Sequence, residues 1–292
     1  MRRLESRHVQ KHARHADSLN PGSGGSLQMH ALTGRVQSGT LRHSLELIYL
    51  LVLKELKVRY KSSLLGYLWA VANPFAFAFV YWLAFKFIMR VQMENYSIFL
   101  ITGMFPWIWL SAGVTQATKS YQANISLVKK VKLNRAIMPL SSIVQEMVHF
   151  IFALPAVAIF LVALGDSHIH ASWLWQVPLM MAIQLAFAFP IGLTLGLVNV
   201  FVRDVEYLIG IAFSLLFFAT PIVYPLSMVP PNYQFYFRNS PLHHLIDAWR
   251  SVLLDGTMKF ESVAVVLAYA VVFSVIAMFA YRRLASKIGE VL

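Results

Sequence analysis

The sequence contains no cysteine, which excludes a disulfide framework, a thiolate nucleophile and a cysteine-based zinc site. Charged residues are also scarce, at 13% of 292 residues, whereas soluble domains carry about 25%. Common catalytic motifs are missing as well: there is no Gly-Lys dipeptide for a phosphate-binding loop, no HExxH, no GxSxG and no DxD pair. We therefore expect a chain that is not an enzyme and carries neither a metal nor a cofactor of its own.

Apolar residues make up 58% of the chain, and the mean hydropathy is +0.60, a composition typical of membrane proteins. A helix needs roughly 20 apolar residues to cross a hydrocarbon core about 30 Å thick. The formal net charge of +12 does not indicate a nucleic-acid partner, because long apolar runs separate the cations. We predict an all-α integral membrane protein with six spans, at residues 65–85, 97–118, 137–164, 173–202, 207–224 and 263–281.

The distribution of Lys and Arg predicts how these spans are oriented. Cytoplasmic loops of membrane proteins are enriched in Lys and Arg. With the N-terminus inside, 20 of the 25 basic residues fall on the inner side and five on the outer side. We therefore expect a multi-pass protein with both termini in the cytoplasm.

The N-terminal region divides into two parts of different composition. Residues 1–40 are polar, basic and rich in Gly and Ser, so we expect a disordered cytoplasmic tail without a cleaved leader. Residues 42–64 have apolar residues at helical spacing opposite several lysines, which is typical of a helix in the membrane interface. A cytoplasmic extension of the first span is the alternative. The apolar side comprises Leu45, Tyr49, Val52, Leu53, Leu56, Tyr60 and Leu64.

The outer connection at residues 225–256 is rich in proline and predicts short helices. The dipeptide Ser240-Pro241 is typical of a helix start, and Gly256 of a helix end. At about 15 residues this helix is too short to span the membrane, so we expect it to be re-entrant or to lie in the outer interface. Its predicted apolar face comprises Leu242, Leu245, Ile246, Trp249, Val252 and Leu253.

Few acidic residues lie within the spans, which points to an external energy source. Glu146 is the intramembrane acid, and it predicts either a structural ion pair or a role in transport. A transporter coupled to protons or sodium would need more such acids or broken helices. A short helix within residues 121–135 has Ile125, Val128 and Val131 on one side, which suits docking into a cytoplasmic partner. Alternatively, its lysines only orient the chain.

Several segments resemble the permease subunit of polysaccharide-exporting ABC transporters, especially O-antigen exporters. The resemblance runs from about residue 45 to the C-terminus and is carried by ELKVRYKSSLLGYLWAVANP (55–74), FPWIWLSAGVTQATKSYQANISLVKKVKLNRAIMPLSS (105–142), GLVNVFVRDVEYL (196–208) and TPIVYPLSMVPPNYQFYFRNSPLHHLIDAWRS (220–251). It implies a homodimer in the bacterial inner membrane, with two separate subunits that bind ATP and Mg²⁺. It also implies an interface helix at 46–64, re-entrant helices at 225–256 and a coupling helix that contains Tyr121, Ile125, Val128, Lys129, Lys130, Val131 and Lys132.

The resemblance also implies a substrate, a glycan attached to undecaprenyl diphosphate. Arg59 and Lys61 are our candidates for the diphosphate at the cytoplasmic entrance, although contact with lipid headgroups explains them equally well. Aromatic side chains suit the C–H faces of sugars, and our candidates for lining the channel are Phe75, Phe79, Trp109, Phe217, Phe218 and Tyr224. Export of a capsular polymer or teichoic acid is an alternative, and a membrane glycosyltransferase is a further one.

Overall fold

The computed structural model describes residues 41–60, 68–84, 93, 95–130, 134–164 and 169–291. Within these ranges every regular element is helical, as predicted. The α-helices are α1 Leu41–Tyr60, α2 Leu68–Leu83, α3 Tyr96–Ala123, α4 Ile125–Lys130, α5 Ile137–Leu164, α6 Trp173–Phe201, α7 Val205–Ala219, α8 Pro231–Arg238, α9 Pro241–Arg250, α10 Phe260–Leu284 and α11 Ile288–Val291. Residues from Ser44 to Leu292 form one compact unit. The predicted tail at residues 1–40 lies outside the described residues.

Within the described ranges, four helices are long and apolar enough to cross a membrane, and they coincide with predicted spans. These helices are α3, α5, α6 and α10. Pro106, Pro155 and Pro190 lie inside three of them without ending the helix. A proline is tolerated inside a membrane helix because neighbouring helices satisfy the carbonyl that it frees.

The other two predicted spans are shorter as helices. α2 has 16 residues, and residues on both sides of it lie outside the described part of the chain. α7 has 15 residues and is about 22 Å long at 1.5 Å per residue. The predicted helical end at residue 224 is wrong, because the helix stops at Ala219 and Thr220 is extended before Pro221. The count of six spans therefore stays a prediction.

The central helices α3 and α6 approach closely because small residues line their contact. A Cβ atom on Gly192 would lie 2.7 Å from the Cβ of Ala117, and one on Gly196 would lie 2.9 Å from the Ala117 carbonyl oxygen. Glycines four residues apart form one strip on a helix, and such strips let membrane helices pack backbone to backbone. This contact forms the centre of the bundle.

The predicted outer helix after Ser240 is confirmed as α9, followed by one π-helical turn, Ser251–Asp255. Its predicted apolar face is buried, with Leu245, Trp249 and Val252 each 0% exposed. The Trp249 indole N–H donates to Gln184 Oε1 at 2.6 Å, and the Gln184 amide donates to the Pro106 carbonyl at 3.0 Å. A short helix that does not span is thus attached to the interior of two spanning helices.

Arg250, counted from the sequence as an outer-loop cation, is instead buried against the chain that follows α7. Its guanidinium donates to the carbonyl oxygens of Pro221 at 2.8 Å and Ile222 at 2.7 Å. The same group lies 3.6 Å from the ring centroid of Phe99. Backbone acceptors and an aromatic face stabilise a guanidinium away from water. Arg250 therefore attaches the outer end of α7 to α9.

Gly256 ends the π-helical turn in a left-handed conformation, with φ of 61°. Its carbonyl accepts from Ser172 Oγ at 2.8 Å and Gln176 Nε2 at 3.0 Å, and a Cβ here would lie 2.4 Å from His170 Cγ. We expect Gly256→Ala to destabilise the chain by about 1–3 kcal/mol, through backbone strain and this overlap. Thermal unfolding in detergent measures the loss. Gly210→Ala is the control, because a Cβ there meets nothing within 4 Å. Equal midpoint temperatures of unfolding for the two variants would contradict the prediction.

Candidate functional site

The connection after α3, predicted to be cytoplasmic, contains a short, separate helix rather than one helix from residue 121. α3 ends at Ala123, Asn124 leaves the helical conformation, and α4 then covers Ile125–Lys130. Asn124 is held on both sides, since its Oδ1 accepts from Lys54 Nζ at 3.1 Å and its Nδ2 donates to the Ser120 carbonyl at 3.1 Å. Tyr121, predicted to contact a partner, belongs to α3 and is fully buried. It is a structural residue of the chain.

The predicted apolar docking face of this helix is divided between the interior and the surface. Val128 is 7% exposed and packs with the chain's own residues, including Met138, Leu197 and Ile288. Ile125 is 37% exposed. The prediction that Val128 faces a partner is therefore wrong, because the chain itself covers this side of the helix. The exposed surface of α4 comprises Ile125, Ser126, Lys129 and Lys130; Val131 and Lys132 lie outside the described residues.

The C-terminal end of the chain supports the segment that follows α4. The guanidinium of Arg135 donates to the carbonyl of Ala285, and the Tyr281 hydroxyl donates to Asn134 Oδ1 at 2.9 Å. Ile288, in the last helix, is 0% exposed within the same apolar cluster as Val128. Sequence reasoning missed this support, because residues about 150 positions apart give no local signal.

Helix α1, predicted to lie in the membrane interface, is covered by the chain on part of its apolar side. Leu51, Val52 and Leu56 are buried, whereas Leu45 and Tyr49 are 66% and 63% exposed. The interface location of α1 stays a prediction. The predicted diphosphate residues cannot be placed, since the Arg59 side chain and Lys61 lie outside the described part of the chain.

An aromatic groove of about 320 Å³ lies between α3 and α7. Trp107 packs on Phe213 with centroids 5.7 Å apart, and Phe217 packs on Phe218 at 5.2 Å. The hydroxyls of Ser111 and Ser214 add polar groups to an otherwise apolar lining. The lining residues are Met104, Trp107, Ile108, Ser111, Phe213, Ser214, Phe217 and Phe218.

The six predicted channel aromatics separate into groove residues and packing residues. Phe217 and Phe218 line the groove, and the Tyr224 hydroxyl donates to the Phe218 carbonyl beside it. Trp109 is 2% exposed, stacks on Phe150 and donates to the Ile143 carbonyl at 3.3 Å, so it does not line an open surface of this chain.

The remaining two aromatic candidates lie on α2, away from the groove lining. Phe75 contacts Phe105 and Phe160 in the core, with centroids 5.1 and 5.6 Å apart. Phe79 is 60% exposed and stacks on Trp82. Trp107 and Phe213, which were not among the six candidates, complete the groove because α3 and α7 bring them together.

The intramembrane acid Glu146 forms a buried contact within its own helix. Its Oε2 lies 3.0 Å from Nδ1 of His149, one turn further along α5, and the two residues are 6% and 8% exposed. This geometry favours the structural pair over the transport role. The sequence suggested a structural ion pair with a Lys or Arg side chain nearer the headgroups, and the structure shows a contact with the neighbouring histidine.

The adjacent histidines at the start of α9 belong to a polar cluster on the outer side. His244 Nδ1 lies 3.2 Å from Ser262 Oγ, which donates to Asp247 Oδ2, and Lys259 donates to Asp247 Oδ1 at 2.8 Å. Burial lowers the pKa of His243, against the opposing effect of Asp247. Among the described residues no group of three or more His, Cys, Asp or Glu side chains is arranged to hold a metal ion.

The chain is similar to known membrane proteins over most of its length. The family model for ABC-2 type transporters matches residues 46–254. An O-antigen export system permease protein of Klebsiella pneumoniae is 36% identical over 252 residues, which are 86% of this chain and 97% of that protein. One from Myxococcus xanthus is 34% identical over 63% of this chain and 70% of its own length. A polysialic acid transport protein of Escherichia coli is 25% identical over 78% of this chain and 88% of its own length.

Proposed function

Because the chain belongs to the ABC-2 type transporter membrane family, we propose that it is the permease subunit of an ABC transporter that exports lipid-linked polysaccharide across the bacterial inner membrane. The substrate class follows from relatives whose names refer to O-antigen export. A glycan carried on undecaprenyl diphosphate, built in the cytoplasm and moved outward, fits this class. The observation that carries the proposal is the aromatic groove on a chain of this family.

The groove between α3 and α7 suits a sugar polymer. Aromatic rings offer flat apolar faces that contact sugar C–H groups without fixing one position along the chain, so a polymer can advance. Phe218, which is 54% exposed, supplies such a face, and Ser111 and Ser214 supply hydroxyls near the sugar oxygens. Two copies of the chain, as a homodimer, would place two such grooves around a common path.

The energy for export would come from two ATP-binding subunits on the cytoplasmic side, which would hold ATP and Mg²⁺. The exposed surface of α4, with Ile125, Lys129 and Lys130, suits a groove with acidic edges on such a partner. With both chain termini in the cytoplasm, α4 lies on the side where these subunits dock. This chain would therefore act as the conduit and the ATP-binding subunits as the enzyme.

Capsular polymer export is the second candidate function, favoured by the similarity to the polysialic acid transport protein. The two candidates differ in the product that accumulates when transport stops. Deleting the gene should leave lipid-linked O-antigen in the cytoplasm and deplete it from the cell surface. Accumulation of a capsular polymer instead would select the second candidate, and normal surface glycan of both kinds would contradict permease function.

The groove is tested by shortening one of its aromatic side chains in the deletion strain. We expect Phe218→Ala to lower surface glycan about fivefold, which corresponds to losing about 1 kcal/mol from one aromatic contact. Phe260→Ala is the matched control, because Phe260 is 73% exposed at the start of α10 and lies outside the groove. The measurement is the rate at which labelled glycan appears at the surface, at equal chain abundance. Equal rates for both variants would exclude Phe218 from the path.

A further inference from the structure

One side of α3 stays open and becomes polar towards the cytoplasm. In the most apolar part of this helix, 72% of the residues are buried. The partly exposed positions nevertheless recur at helical spacing: Ile108, Ser111, Ala112, Thr115, Gln116 and Lys119. Four of these six side chains carry a hydroxyl, an amide or a cation. The Ser111 hydroxyl donates to the Ile108 carbonyl of its own helix at 3.3 Å. The amide of Gln116 and the ammonium of Lys119 are unfavourable against lipid tails, so this end of the row faces water, a ligand or another protein surface.

The aromatic groove and this polar row share two residues of α3, Ile108 and Ser111. The groove places Ser111 beside Phe213 and Ser214. Further inward, Asn199 joins the two helices, since its Nδ2 donates to the Thr118 carbonyl at 3.1 Å and its Oδ1 accepts from the Glu206 N–H at 3.1 Å. α7 therefore runs antiparallel to α3.

This antiparallel register places Gly210 of α7 level with Thr115 of α3, between the groove and the Asn199 contact. A Cβ on Gly210 would meet nothing within 4 Å. Gly210 is exposed, so this level of α7 leaves the neighbouring surface uncovered. The side of α3 that lines the groove with Ile108 and Ser111 continues along the same helix face through Thr115 to Lys119.

Lys119 lies at the cytoplasmic end of this row and is the single charged residue of α3. It is partly buried, and across the described ranges no carboxylate forms an ion pair with it. Glu206 is the acid nearest by register, and its backbone is held by Asn199. A cation in this setting offers three N–H donors to an anion that enters from the cytoplasm.

We propose that Ser111, Thr115, Gln116 and Lys119 form the polar part of the substrate path, with Lys119 binding the diphosphate that joins glycan to lipid. This inference rests on the proposed function, and it assigns diphosphate binding to a residue that lies within the described ranges. The aromatic groove contacts sugar faces, the hydroxyls and the amide contact sugar oxygens, and the ammonium contacts the phosphates. Lysine is a compact charge that binds phosphate without requiring one fixed orientation.

The charge is tested in the full transporter reconstituted with its ATP-binding subunits, with undecaprenyl diphosphate as the probe. We expect Lys119→Gln to raise the concentration that half-maximally stimulates ATP hydrolysis about tenfold to a hundredfold, as expected for one lost charge-assisted hydrogen bond. Lys119→Arg should stay within about threefold of the unmodified chain. Lys287→Gln, which removes an exposed cation near the C-terminus, should leave that concentration unchanged.

The outcomes separate this inference from the proposed function. Export stands if the gene deletion traps glycan in the cytoplasm. The Lys119 assignment is overturned if Lys119→Gln responds to the probe like Lys287→Gln, or if the probe does not stimulate ATP hydrolysis. Repeating the titration in phosphatidylcholine vesicles with and without phosphatidylglycerol separates the two phosphate sources. An effect of Lys119→Gln that appears only with the anionic lipid would assign Lys119 to headgroups and overturn the inference.

The absence of natural cysteine allows a direct test of the opening. We expect Thr115→Cys to react in intact membranes with a charged methanethiosulfonate reagent, and undecaprenyl diphosphate to slow the reaction. Val275→Cys, 66% exposed on α10, should react far more slowly because it faces lipid. An unreactive Thr115→Cys would overturn the path. A disulfide between two Thr115→Cys chains would show instead that a second copy covers the row.

Discussion

Replacing Gly196 with leucine is expected to remove most folded protein from the membrane. A Cβ at this position would lie 2.9 Å from the Ala117 carbonyl oxygen and 3.3 Å from the Tyr121 ring, and leucine adds three further carbons. The helices α3 and α6 would have to separate, which costs about 3 kcal/mol or more because both belong to the buried centre. The amount of monodisperse protein after detergent extraction, and its unfolding temperature, measure the effect.

The matched control is the same substitution at Gly210, where a Cβ would meet open space. Gly210→Leu should fold like the unmodified chain, with a small gain from the better helix propensity of leucine. Its export rate is a separate measurement, since the side chain narrows the space beside Thr115. Normal yield and unfolding temperature for Gly196→Leu would show that α3 and α6 are not packed as closely as described.

Reversing the charge of Lys129 and Lys130 is expected to abolish export while the chain stays folded. Both side chains are exposed on α4, so their replacement by glutamate disturbs no packing within the chain. The two glutamates would repel an acidic partner surface, which costs several kcal/mol of binding free energy and is enough to prevent association. We expect the ATP-binding subunit to be absent when the tagged double variant is purified, and surface glycan to fall to the level of the deletion strain.

Two further variants separate docking from folding at this site. Val128→Asp should lower the yield of folded chain, because Val128 is 7% exposed in the apolar cluster around Ile288. Arg238→Glu changes an exposed cation on α8, which has no part in the support of α4, and should retain the ATP-binding subunit. Retention of that subunit by the double variant, together with normal export, would contradict the role of α4.

The elements that could be predicted from the sequence are those that depend on local pattern. Runs of apolar residues located α3, α5, α6 and α10, because span length follows from bilayer thickness. The start and apolar face of α9 followed from Ser240-Pro241 and helical spacing, and the end of the π-helical turn after it followed from Gly256. Each of these signals lies within one segment of the chain.

The features that could not be predicted depend on which neighbour covers an apolar side chain. Lipid and protein both accept valine or tyrosine, so the pattern of α1 did not show that Leu45 is exposed and Leu51 buried. The same ambiguity misplaced Val128 and Trp109. The contacts of Arg250 also gave no signal in the sequence, since its acceptors are backbone carbonyls near Pro221, and carbonyls occur in every sequence.

The support beneath α4 determines how a mechanical push would travel through the chain. Lys54 of α1 holds Asn124 at one end of α4, and Arg135 beyond its other end is attached to Ala285 after α10. Because Val128 and Ile288 share one apolar cluster, α4 cannot slide without displacing its supports. A displacement of α4 would therefore move α1 and the segment that follows α10 together.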